Sequence, residues 1–82
     1  MENDWESALQ IWLDTYNKST SRSLKSKLEY NIALGYEMLG NISEAIIWAV
    51  KSYEHTYRPV TYDYLNILKD RKSLLLDAHG KK

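Results

Sequence analysis

The feature that most constrains this chain is the spacing of its apolar residues, which recur at three- and four-residue steps along nearly its whole length. Near the start, Trp5, Ala8, Leu9, Trp12, Leu13 and Tyr16 step by three, one, three, one and three. That is one face of a helix with about 3.6 residues per turn, and it fits no strand, whose faces alternate every two residues. A second stripe holds Leu28, Ile32, Gly35, Tyr36 and Leu39, with Tyr30, Ala33, Leu34 and Met38 on its flanks. A helix apolar over so much of its circumference has to be covered on more than one side. A third holds Ile42, Ala45, Ile46, Ala49 and Tyr53, where small Ala45 and Ala49, one turn apart, let a neighbouring helix come close. A fourth puts Leu65, Leu68 and Leu75 on one face, with Tyr64, Ile67 and Leu74 beside them.

The punctuation between stripes sets the boundaries. Asn3 or Asp4 can cap the first helix, with Glu6 completing a capping box after Asn3. The polar run Asn17 to Ser23 carries four hydroxyl side chains that compete for backbone hydrogen bonds and favour a loop. Gly40 supplies a left-handed helix end, and Asn41 with Glu44 opens the next helix. Pro59 disfavours helical geometry at Arg58 but suits the first turn of a following helix. The expected helices run over about 4–17, 24–39, 42–56 and 59–76, with His79 to Lys82 fraying. The class is all-α, a single domain over 1–82 of four helices stacked as antiparallel hairpins.

Composition excludes several functions. A chain of 82 residues has little material for an enclosed catalytic cavity beside a core. Without Cys it has no disulfide, thiolate metal site or thiol nucleophile. Lys plus Arg total 11 against 11 Asp plus Glu, which removes the broad attraction that non-specific nucleic-acid or anionic-membrane binding uses. The longest apolar run, Ala45 to Val50, is far short of the roughly 20 residues that span a bilayer, and acidic Glu2, Asp4 and Glu6 stand where a secretory leader is basic.

No constellation carries chemistry. His55 has no second ligand three or four residues away on its face, and Ser19, Thr20, Ser21 and Ser23 lack a glycine-framed elbow or a nearby His. Gly35 and Gly40 do not form a phosphate loop, and Asp63 and Asp70, seven apart, read as a solvated stripe. The expectation is a protein that is not an enzyme, with no catalytic residue, no metal, no cofactor and no small-molecule substrate.

Helices one and three superpose on a shift of 37 residues, Asp4-Trp5-Glu6-Ser7-Ala8-Leu9 falling on Asn41-Ile42-Ser43-Glu44-Ala45-Ile46. The stretch from Tyr30 to Ile46 closely resembles the tetratricopeptide repeat. Ile32 sits at the family's first-helix Leu, Ala33 at its small residue and Tyr36 at its Tyr. Gly40 matches the turn Gly, Ile42 the turn aromatic, Glu44-Ala45 the Glu-Ala pair and Ser52 the later small residue. The likeness is strong over residues 28–59 and departs from the pattern at Glu29, where the family has Trp, and at Pro59, two positions late. Residues 4–16 resemble the second helix of a preceding repeat, and Thr61 to Leu75 a capping helix. The chain also resembles the C-terminal part of a family of uncharacterised bacterial lipoproteins with a degenerate tail of this kind.

The resemblance implies a non-catalytic protein-interaction module whose concave wall holds a partner segment. Transferred to this chain, the wall comprises Lys27, Tyr30, Asn31, Leu34, Glu37 and Met38 on the second helix, with Tyr62 and Tyr64 from the fourth. In peptide-binding members of the family, the Asn equivalent to Asn31 can hydrogen-bond the ligand backbone. The expected partner is a protein or peptide segment, or another copy of the chain, because an acidic start and a basic end allow head-to-tail association. There are two alternatives. One is a purely structural helical domain without a groove, in which these residues pack under neighbours. The other is a nucleic-acid binder using the basic blocks Lys18, Arg22, Lys25, Lys27 and Lys69, Arg71, Lys72, Lys81, Lys82, though nucleic acid is not the expected partner. Trp48 is expected to cover the fourth helix or to lie at an interface. No membrane insertion is expected; the compartment is periplasm or cell surface for a lipoprotein fragment, cytoplasm otherwise. Two hairpins fall below the three or so repeats a solenoid usually needs, so the outer face of the first helix is expected to require a cover.

Overall fold

The computed structural model describes the backbone of residues 4–80 and the side chains of residues 4–74. Its elements are four α-helices, α1 (Trp5–Lys18), α2 (Arg22–Met38), α3 (Ile42–His55) and α4 (Pro59–Gly80), and the described residues contain no strand. The fold is all-α, as the spacing predicts.

The starts of α1, α2 and α3 are each capped by a short polar side chain. Asp4 caps α1, accepting from the Ser7 backbone N–H at 3.1 Å and the Ser7 hydroxyl at 2.8 Å. Those bonds, the hydroxyl's first, hold the Asp4 carboxyl below its ordinary range. The cap is thus Asp4 paired with Ser7; Asn3 lies outside the described residues. Ser21 caps α2 by accepting the Leu24 N–H at 3.3 Å, so that helix begins at Arg22, two residues before the expected start. Asn41 caps α3, accepting from the Glu44 N–H. Between α2 and α3, Gly40 adopts φ +84°. Asn41 N–H then donates to the Tyr36 carbonyl and Gly40 N–H to the Glu37 carbonyl, the double bond of a Schellman turn. Pro59 opens α4, which continues to Gly80 through the expected fraying point at His79; Lys81 and Lys82 lie outside the described residues.

α2 is the central element, packed against α1 on one side and α3 on the other, while α4 lies on α3. Leu9 and Trp12 of α1 press on α2 at Gly35, where a Cβ would stand 3.2 Å from Leu9 Cδ1. Between α2 and α3 the contact is close because the facing residues are small. Ser26 Oγ donates to the Ser52 carbonyl at 3.0 Å and Ser52 Oγ to the Ser26 carbonyl at 2.8 Å, both side chains buried. The core gathers Ala33, Ala45, Ala49, Tyr64, Leu65 and Leu68 among α2, α3 and α4.

The outer faces of the terminal helices are polar. On α1 the exposed run is Ser7, Gln10, Asp14 and Lys18, with Ile11 the exposed apolar residue beside it. On α4 it is Tyr62, Asn66, Lys69 and Ser73. Where the repeat number leads to the expectation of a cover, the α1 face is hydrated largely by polar side chains at steps of three, four and four. Trp48 neither covers α4 alone nor stands open: its ring meets Tyr16 of α1 edge-on at 5.2 Å, with Lys51 Nζ 4.2 Å over its face.

Candidate functional site

α2 is covered by α1 and α3 on two flanks, and the strip of its surface left between α1 and α4 carries Lys27, Asn31, Leu34 and Met38, at steps of four, three and four. Lys27 and Met38 are exposed, Asn31 and Leu34 half-buried. The predicted wall residues on the α4 side of that strip are placed differently. Tyr30 is half-buried, its ring 5.2 Å from that of Tyr64 and the Arg58 guanidinium over it at 5.8 Å. Tyr64 is buried, and its hydroxyl donates to Glu37 Oε1 at 2.7 Å; Arg71 donates to the other oxygen of the same carboxylate. Burial, then the neighbouring Tyr30, raises the Tyr64 phenol above its ordinary value. Tyr30, Glu37 and Tyr64 thus form the joint that fixes α4 beside α2. Tyr62 is exposed on the other side of α4, with its ring 5.7 Å from Tyr53 of α3. Of the eight residues the resemblance transfers, four line the open strip, three make the joint and Tyr62 lies apart.

The pairs Tyr30–Tyr64 and Glu37–Arg71 are each separated by 34 residues, so α2 and α4 run parallel. On α4, Tyr64 and Arg71 interleave with Val60, Ile67 and Leu74 at steps of four, three, four and three. Those three apolar side chains therefore continue along the edge of α4 nearest α2, and they are open, with 51%, 51% and 68% of their surface exposed; Met38 on α2 is 55% exposed. The sequence sets Ile67 and Leu74 beside Leu65, Leu68 and Leu75, of which Leu65 and Leu68 are buried and the Leu75 side chain lies outside the described residues, and it gives Val60 no role. The interleaving was present in the sequence, but which α4 face meets the core is decided by Leu65, Leu68 and Thr61, which are buried.

A second cluster sits away from this face. Glu29 is fully buried, and its carboxylate accepts from the Tyr16 hydroxyl at 2.6 Å and faces His55 Nδ1 at 2.7 Å. It joins α1, α2 and α3 at one point. Burial, then the Glu29 carboxylate, pushes the Tyr16 phenol up to about 12. His55 is thus a partner of Glu29. Of the basic blocks, Lys25 stands 5.2 Å over the Tyr16 ring and Arg71 is paired with Glu37. Among the described residues there is no pocket, no group of three His, Cys, Asp or Glu that could hold a metal ion, and no helix long and apolar enough to cross a membrane. The chemistry available on the open strip is non-covalent: apolar contact from Leu34, Met38, Ile67 and Leu74, and hydrogen bonding from Lys27 and Asn31.

A family model described as a domain of unknown function (DUF6340) matches residues 1–70. No curated protein and no solved structure matches the chain.

Proposed function

We propose that this chain, which belongs to the DUF6340 family of domains of unknown function, is a non-catalytic helical module of the tetratricopeptide type that binds a protein segment along the strip between α2 and α4. The observation that carries the reading is the row of exposed apolar side chains, Met38, Val60, Ile67 and Leu74, bordering half-buried Leu34 and Asn31 on two parallel helices. Scattered apolar residues on a surface need no explanation, whereas a row held by two rigid elements is the arrangement that binding faces use. The 34-residue offset between α2 and α4 contacts supports the repeat character. The compartment follows the parent chain: periplasm or cell surface for a lipoprotein tail, cytoplasm otherwise.

Peptide display against the domain, counter-selected with the double variant Met38→Glu, Ile67→Glu, tests this. Both positions are exposed, so the variant should melt within a few degrees of the parent. Enriched peptides should lose at least about tenfold in affinity, roughly 1.4 kcal/mol, on the variant. If no peptide is enriched, or if the enriched peptides bind both proteins alike, the structural reading without a groove takes its place.

A further inference from the structure

We infer that the segment this face accepts is an amphipathic helix with basic residues along one edge. The inference rests on the proposed role of the strip and adds the chemistry of its occupant. Asp63 and Asp70 follow Val60 and Ile67 by three residues, on the side of the apolar row opposite Tyr64 and Arg71. Both are exposed, and neither has a hydrogen bond or ion pair among the described residues, while the nearest cation on the other side, Arg71, is held by Glu37. The row therefore has an unneutralised acidic rim along its outer edge, while along its inner edge the Glu37 carboxylate is held by Arg71 and the Arg58 guanidinium lies over Tyr30.

The occupant is a helix because the backbone of α2 and α4 is already hydrogen-bonded within each helix. An extended segment laid on Ile67 and Leu74 would leave its own N–H and C=O groups facing apolar side chains, and a helix satisfies them internally. Its basic edge follows from the rim. Asp63 and Asp70 are two turns apart, about 10.5 Å along the axis, which is the separation of Lys or Arg at positions i and i+7 of a helix lying alongside. A second copy of α4 fits poorly in this place. Pairing two such faces about a two-fold axis at Ile67 sets Asp63 of one copy against Asp70 of the other, and like charges at that range repel.

Two synthetic helical peptides sharing one leucine stripe, one with Lys and one with Glu at edge positions seven apart, are titrated at low and moderate salt. The proteins are the full chain, the charge reversal Asp63→Lys, Asp70→Lys, and Ile67→Glu. The Lys peptide should bind the parent at least about tenfold tighter than the Glu peptide, the gap should shrink as salt rises, and the charge reversal should invert the order. Equal affinity for both peptides, lost in Ile67→Glu, overturns the basic edge and leaves the face intact. Binding of neither peptide, or binding indifferent to Ile67→Glu, overturns the face and this inference together.

Discussion

Glu29 has no exposed surface, yet it carries two short polar contacts, to Tyr16 of α1 and His55 of α3. A buried carboxylate is costly unless its oxygens are occupied, and here each oxygen has a partner from a different helix. In the sequence Glu29 was legible only as a departure from a repeat pattern, because its partners lie 13 and 26 residues away and no local spacing links them. The contact has a pH signature. The Tyr16 phenol is raised to about 12 by burial first and by Glu29 second, against an unfolded value near 10. A raised phenol contributes stability that is fully present below pH 10 and is lost as pH climbs through about 12. Tyr64, also raised, adds to the loss with the same sign. Urea midpoints should therefore hold steady up to about pH 10 and then fall, and Tyr16→Phe should remove part of that fall while Tyr64 keeps the rest. Superimposable pH curves for parent and variant would contradict the role given to Tyr16.

At the scale of elements, α2 is the helix whose surroundings the sequence described best. Its apolar circumference predicted cover on more than one side, and Leu28 and Ile32 are buried together with Ala33 and Ser26 on other faces. Its C-terminal turn followed from Gly40 alone, since a left-handed residue with an open surround is a local requirement. Gly35 is different. It looked like part of an apolar stripe, and only the approach of Leu9 and Trp12 shows why no side chain stands there. Gly35→Ala adds a Cβ 3.2 Å from the movable end of Leu9, and the gain in helix propensity, about 1 kcal/mol, offsets the squeeze to near neutrality. Gly35→Val has no such compensation and should cost about 1–3 kcal/mol in urea unfolding. Equal stability of the two variants would mean that α1 does not pack against α2 at this point.

For the whole molecule, α2 shared between α1 and α3, and α3 shared with α4, predicts one cooperative unit. Trp5 and Trp12 lie on α1 and Trp48 touches Tyr16 of α1, so tryptophan fluorescence reports on α1 while far-ultraviolet circular dichroism reports on all four helices. The two urea transitions should coincide; an earlier fluorescence transition would make α1 a separately melting layer. By itself the sequence determined the number of helices, the breaks between them, the Gly40 turn with its Asn41 cap, and the all-α class, because each depends on groups within about one helical turn of one another. Leu65 and Leu68 were legible as one face of α4 and are buried; only the tertiary structure decided how the apolar positions flanking them divide between core and surface. That division buried Tyr64, turned Tyr62 toward α3 and left Val60, Ile67 and Leu74 open beside α2. The physical reason is that α4 is amphipathic over two adjoining sectors, and periodicity marks a face as apolar without saying which neighbour removes it from water.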